Sequence, residues 1–300
     1  MSIADHAIAS TLPFIPKSIV RRVASRYIAG ETDEDAMRVA AELNRHGFRA
    51  TVDLLGEHIQ TLDDAHPALR QYMGILETIA RQKIDSTVSL KLTQFGLKMD
   101  CEACLTMVES IVARAATLGN FVRIDMEDSS CTSDTIETFR RVREKYSNVG
   151  LAIQAYLRRT SEDVAALESL KPNVRLCKGV YVEPPDIAYR EMSAINQNYV
   201  SILERLLRNG SYVGIATHDE IIVREAKRII RELNLPSTAY EFQMLLGVNE
   251  GLRDRLLSEG HPLRVYIPFG KEWYAYSVRR LRENPRIAGY VLKAMLSAKL

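Results

Sequence analysis

No apolar run in this 300-residue chain approaches the roughly 20 residues needed to cross a bilayer, which argues against a helical membrane span. Cysteine is scarce. Cys101, Cys104, Cys131 and Cys177 are too few for a disulfide scaffold and suit a reducing compartment. Cys101 and Cys104 form a CxxC, but no second cysteine pair or suitably spaced histidine completes a zinc set. No His-x-x-x-His pair exists either, so no catalytic metal is expected. Neither sign of charge prevails: 40 basic and 38 acidic side chains give a net +2, which argues against a nucleic-acid binder with a broad basic surface. The stretch Ile8–Ile19 is broken by Pro13 and Pro16. It lacks a basic start and a cleavage site, so it does not read as a signal peptide.

What remains is an ordinary globular composition, 46% hydrophobic and 26% charged, with a strong alternation from about residue 50 onward. Eight short apolar runs recur: Ala50–Leu55, Thr87–Leu92, Phe121–Met126, Leu151–Tyr156, Val174–Cys177, Tyr212–Ala216, Ala239–Met244 and Leu263–Pro268. Their continuity predicts strands covered on both faces. Helical patterns lie between them, among them Cys101–Thr117, Ser133–Lys145, Ser161–Leu170, Pro185–Leu207, Asp219–Leu233 and Glu250–Leu257. Eight strand–helix units in roughly 250 residues predict an α/β fold, a (β/α)8 barrel. A doubly wound sheet would usually carry a Gly-rich phosphate loop after an early strand, and Asp53–Leu54–Leu55–Gly56–Glu57 is not one. Residues 1–49 read as an N-terminal helical arm, with helices at Ala24–Ala29 and Asp33–Arg45, and residues 50–300 as the barrel.

Chemistry in such barrels sits at the C-terminal ends of the strands. Polar residues crowd those ends here: Asp53 and Glu57, Lys91, Asp125 with Glu127 and Asp128, Gln154 and Tyr156, Arg175, Lys178 and Tyr181, Thr217 and His218, Glu241, Gln243 and Leu245, and Tyr266. Lys91 interrupts an apolar strand. It could serve as a Schiff-base nucleophile or as a charge partner, with Asp125 its expected neighbour on the next strand. Gly179 lets the backbone approach a ligand closely, flanked by Lys178. Near the C-terminus, a helix starting at about Lys271 places Tyr276 one turn before Arg279 and Arg280, with Glu283 one turn after. Alone, the arginine pair could be a solvated surface turn. Placed after the eighth strand, two guanidinium forks beside a ring suit a small molecule with a carboxylate at one end and an apolar body at the other.

Seven motifs carry a resemblance: Ser89–Leu90–Lys91–Leu92, Ile124–Asp125–Met126–Glu127, Gln154–Ala155–Tyr156, Arg175–Leu176–Cys177–Lys178–Gly179–Val180–Tyr181, Ala216–Thr217–His218, Tyr240–Glu241–Phe242–Gln243–Met244–Leu245 and Tyr276–Ser277–Val278–Arg279–Arg280–Leu281–Arg282–Glu283–Asn284. In this order the chain resembles the proline dehydrogenase family, from about Asp53 to Asn284, in its short monofunctional bacterial form. The resemblance implies a distorted TIM-type barrel with non-covalent FAD. It implies oxidation of L-proline to Δ1-pyrroline-5-carboxylate by hydride transfer to flavin N5, with electrons passed to a membrane quinone. A separate Δ1-pyrroline-5-carboxylate dehydrogenase would then act next, and the protein would be cytoplasmic with access to the inner face of the membrane. By motif, Lys91, Arg279 and Arg280 would hold the proline carboxylate, and Tyr181, Tyr266, Tyr276 and Leu245 would wall the ring. Asp125 would organise the charged network, and Glu57 would close the site onto Arg279. Met126, Gln154, Arg175, Lys178, Gly179, Val180, Thr217, His218 and Glu283 would line FAD. Leu246 departs from the bifunctional members, which carry His there. A Schiff-base lyase on the same barrel is the rival reading, and a non-catalytic sensor of the same ligand is the weaker one.

Overall fold

The computed structural model describes residues 21, 24–56, 59–274, 276 and 277. Eight parallel strands close in chain order: β1 (Arg49–Leu54), β2 (Ser86–Leu90), β3 (Val122–Ile124), β4 (Val149–Gln154), β5 (Val174–Cys177), β6 (Val213–Ala216), β7 (Tyr240–Leu245) and β8 (Leu263–Phe269), with β8 pairing back onto β1. The barrel expectation is met, each strand falling within about two residues of its apolar run. Closure leaves no sheet edge exposed.

Eight helices lie among the described residues: α1 (Asp33–Arg45), α2 (Ala65–Gln82), α3 (Cys101–Thr117), α4 (Thr132–Lys145), α5 (Thr160–Leu167), α6 (Met192–Arg208), α7 (Glu220–Glu232) and α8 (Glu250–Ser258). Helix α1 starts with a capping box: Asp35 N–H donates to Thr32 Oγ1 at 3.2 Å, and the Asp35 carboxylate takes the Thr32 N–H. It packs against both β1 and β8, covering the barrel wall where the strands close. Helix α7 shows the pattern that fixes the others. Ile222, Val223, Ala226, Ile229 and Ile230 make one buried stripe, and each Ile or Val so buried contributes about 1.5–3 kcal/mol.

Two expected helices differ. At 24–29 the chain makes a turn, with Ile28 N–H bonded to Ala24 O, and then runs extended. The 185–191 part of the expected Pro185–Leu207 helix is a loop. Pro185 disfavours helical backbone at Pro184, and the loop spends its groups on the β4 end. Tyr189 N–H donates to Tyr156 O at 2.8 Å, and Arg158 Nε to Pro185 O at 2.9 Å.

The strands alternate more than their apolar runs implied. Val52, Val88, Ile124, Leu151, Leu176, Ile215, Phe242 and Val265 belong to the buried core that the strands share with the helices. The intervening residues contact one another across the interior. Arg175 on β5 reaches Ser89 on β2 and Asp125 just after β3, and Tyr266 on β8 reaches Asp125. This interior is polar, whereas bulky branched side chains dominate the usual one. Gly150 on β4 is part of that design. A Cβ there would lie 2.4 Å from Arg123 Nη1 and 2.5 Å from Asn173 O. Burial, with the Arg175 charge nearby, pushes the Arg123 guanidinium down to about 9. Its cost is offset by hydrogen bonds to Leu151 O at 3.0 Å and to Asn173.

Candidate active site

A charged cluster fills the barrel toward the C-terminal ends of β1, β2 and β3, and Arg175 from within β5 and Tyr266 from the middle of β8 reach it. Lys91 follows β2 directly, and its Nζ lies 2.7 Å from Asp53 Oδ2, 3.5 Å from the Tyr266 hydroxyl and 3.8 Å from Asp125 Oδ2. Asp125 binds Arg175 Nη1 through Oδ1, and the same oxygen accepts from Ser89 Oγ at 2.9 Å. The Arg175 guanidinium also stacks over the Tyr266 ring, 5.1 Å from its centroid. Asp53 is fully buried. Burial pushes its pKa up, the Lys91 ammonium pulls it down and the Asp125 charge raises it; the net direction is up. Burial and the carboxylates likewise push the Tyr266 phenol well above its ordinary value, so it stays a neutral hydrogen-bonding group.

The expected Lys91–Asp125 pairing is therefore redistributed. Both β1 and β3 flank β2, but Lys91 Nζ lies closer to Asp53, at 2.7 Å, than to Asp125 Oδ2, at 3.8 Å, while Asp125 Oδ1 is taken by Arg175 from across the barrel. Glu241 also departs from expectation. It is the second residue of β7 and lies at the opposite end of the barrel, bound to Arg264 and Arg49.

Around this cluster the strand ends form a rim. Gln154 ends β4, its Nε2 donating to Met126 O at 3.4 Å, and its buried Oε1 has no hydrogen-bond partner among the described residues. Gly179, just past β5, has φ +108°, and a Cβ on it would lie 2.0 Å from the Tyr156 ring. Only glycine fits there, and it lets Tyr156 cover the backbone where Val180 and Tyr181 begin the next loop. Lys178 Nζ is held by Asp219 Oδ2 at 2.5 Å and lies 3.3 Å from Met192 Sδ. Asp219 in turn caps α7, accepting from Ile221 N–H at 2.8 Å, and donates its own N–H to Thr217 Oγ1 at 3.1 Å. His218 Nε2 accepts the Leu245 N–H at 3.0 Å, which ties the end of β7 to the β6 loop. Tyr276 is buried in a small apolar cluster with Ala24, Ile28 and Leu55. Among the described residues no group of His, Cys, Asp and Glu could hold a metal.

The family model described as proline dehydrogenase matches residues 36–292. The chain is 36% identical over 273 residues to proline dehydrogenase 1 of Bacillus subtilis, covering 91% of this chain and 90% of that one. The chain belongs to the proline dehydrogenase family. Its members also include the proline dehydrogenase of Deinococcus radiodurans, 37% identical over 279 residues and 91% of this chain, 90% of that one. The bifunctional PutA of Escherichia coli is 24% identical over 93% of this chain, which spans only a quarter of its length. Among solved structures, proline utilization A of Bdellovibrio bacteriovorus, inactivated by N-propargylglycine, superposes with a TM-score of 0.83 at 26% identity. That match covers 88% of this chain and 33% of the larger one.

Within this proline dehydrogenase barrel, the structure brings Lys91, Asp125, Arg175 and Tyr266 into one network. It places Met126, Gln154, Lys178, Gly179, Val180, Tyr181, Thr217, His218 and Leu245 on the rim. Glu57, Arg279, Arg280 and Glu283 lie outside the described residues. Sequence reasoning gave Asp53, Ser89, Gln243 and Asp219 no role as partners. Asp53 carried the signal used for Lys91, a charge inside an apolar strand.

Proposed function

We propose that the chain oxidises L-proline to Δ1-pyrroline-5-carboxylate with non-covalently bound FAD at the barrel mouth. The observation that carries this reading is the Asp53–Lys91–Asp125–Arg175 network across the strand ends, in a chain of the proline dehydrogenase family. The rim fits a planar cofactor with a polar edge. Gln154 Oε1 is a buried acceptor without a partner among the described residues, and the positive φ of Gly179 lets the chain turn beneath the Tyr156 ring into Val180 and Tyr181.

Bound FAD would supply the two-electron oxidant, accepting hydride at N5 from the ring carbon next to nitrogen. The chain's own residues supply position and charge. Lys91, with Arg279 and Arg280, holds the carboxylate, while Asp53 and Asp125 fix the ammonium from two sides. Tyr181, Tyr266, Tyr276 and Leu245 wall the pyrrolidine ring and exclude water, and Glu57 closes the entrance onto Arg279. Met126, Gln154, Gly179, Val180, Thr217, His218 and Glu283 line the cofactor. Lys178 Nζ is engaged by Asp219 and Arg175 Nη1 by Asp125, but Arg175 Nη2 makes no hydrogen bond among the described residues, so Arg175 would be the positive group beside the electron-rich pyrimidine. The substrate amine loses its proton on binding, so no dedicated base is required. A quinone takes the electrons, and a separate Δ1-pyrroline-5-carboxylate dehydrogenase takes the product. The enzyme is cytoplasmic and meets the membrane from its surface. Among the described residues no helix is long and apolar enough to cross one.

The test is the anaerobic absorbance spectrum of FAD-loaded protein before and after L-proline. Bleaching of the flavin band is expected. A colourless protein that cannot be loaded with FAD would exclude the reading. Borohydride trapping of substrate on Lys91 or Lys178 would support the Schiff-base lyase instead.

A further inference from the structure

The polar interior continues below Arg175 as a hydrogen-bonded column. Gln243 on β7 bridges it: its Oε1 accepts from Arg175 Nε at 2.7 Å, and its Nε2 donates to Glu241 Oε1 at 2.7 Å. Glu241 is fixed from beneath by Arg264 Nε at 2.6 Å and Arg49 Nη1 at 3.3 Å. A carboxylate only accepts and a guanidinium only donates. Gln243 must therefore turn its amide nitrogen toward Glu241 and its oxygen toward Arg175, and a flipped amide would fail at both ends. The space is cleared for it. At Gly214, which pairs in register with Glu241, a Cβ would lie 2.4 Å from Gln243 Nε2 and 2.7 Å from its Cδ.

Arg175 spends Nε on Gln243 and Nη1 on Ser89 and Asp125, while Nη2 makes no hydrogen bond among the described residues. A guanidinium anchored through Nη1 alone can pivot about that bond. A second anchor at Nε sets its plane and leaves one edge over. We propose that Gln243 is a positioning residue: oriented by Glu241, it fixes the Arg175 guanidinium so that Nη2 is the edge offered to the bound cofactor. This rests on the FAD reading above.

The test compares Gln243→Met, which keeps the volume and loses both hydrogen bonds, with the exchanged pair E241Q/Q243E. The exchange keeps one carboxylate and one amide in the column and still offers Arg175 Nε an acceptor. In FAD-loaded Q243M, kcat should fall about tenfold with KM for proline within about twofold. The flavin midpoint potential should shift negative and its absorbance band should move. The exchanged pair should recover most of each change. In cofactor-free protein, the Arg175 Nε–H should exchange slowly with solvent by 15N NMR in the parent, fast in Q243M, and slowly again in the exchanged pair. Q243M with unchanged kcat, potential and Nε–H exchange, and only a lower Tm, would overturn the inference. If the parent takes up no FAD, the cofactor reading fails by itself, and the Nε–H exchange still decides whether Gln243 holds Arg175.

Discussion

Lys91 and Asp53 form a buried ion pair at the barrel mouth, Nζ to Oδ2 at 2.7 Å, with Asp53 fully buried and Lys91 nearly so. Removing one member of such a pair leaves a buried uncompensated charge, at about 3–5 kcal/mol. Asp53→Ala should therefore unfold at clearly lower urea. Asp53→Ala combined with Lys91→Met should regain much of the loss, because the stranded ammonium is gone. A double variant no more stable than Asp53→Ala would mean that the pair is not the source of the effect.

Gly179→Ala meets two obstacles at once, φ +108° and a Tyr156 ring carbon 2.0 Å from the new Cβ. Backbone strain of that kind costs about 1–3 kcal/mol, before the ring is displaced. FAD affinity, measured by fluorescence quenching on titration, should drop at least tenfold. Retained affinity would place the cofactor away from the β5 end.

Glu241 makes a pH prediction. Burial alone would raise its pKa, but the Arg264 charge and the bonds from Arg264, Gln243 and Tyr212 outweigh that and hold it below its ordinary 4.5. A carboxylate lowered in this way contributes stability that is fully present above pH 4.5 and is lost as pH falls through its folded value. Tm should thus decline on acidification below about pH 4.5. Glu241→Gln should lower the neutral Tm, since Arg264 and Arg49 lose their partner, and flatten the acid limb. An acid limb of unchanged steepness would assign it to other carboxylates.

Arg279→Ala and Arg280→Ala test the carboxylate clamp. Each should lose about 2–4 kcal/mol of proline binding by analogy with truncated charge pairs, read as a KM raised roughly 30- to 700-fold with the flavin still bound. Unchanged kinetics would remove both from the site.

The barrel was legible because its signals are local. Strand runs and helix stripes are set by neighbours a few residues apart, and α3 lies where its periodicity placed it, capped by Asp100. Lys91 was legible too, as a charge breaking an apolar strand. The partnerships were not. Asp53 meets Lys91 across 38 residues, and Arg175 meets Gln243 across 68. No periodicity encodes which interior side chains cross a barrel. Glu241 shows the cost: it is the second residue of β7, near the floor, whereas Leu245 ends the strand at the chemical end, and its charge alone does not say which it occupies.

Asp219 joins fold and site in one side chain. Its Oδ1 accepts from Ile221 N–H at the start of α7, and its Oδ2 receives Lys178 Nζ at 2.5 Å and Asn196 Nδ2 at 3.2 Å. Burial opposes its charge, but these bonds hold its carboxyl below the usual range. Asp219→Ala removes a helix cap worth about 1 kcal/mol and at the same time frees Lys178. Asp219→Ser, which can still cap the helix but cannot neutralise the ammonium, separates the two effects. Tm should fall in the alanine variant and largely recover in the serine variant. Lys178 should be released in both, and FAD affinity should change alike in both. Affinity that instead follows Tm would make Asp219 a helix cap alone and leave Lys178 without a role at the rim.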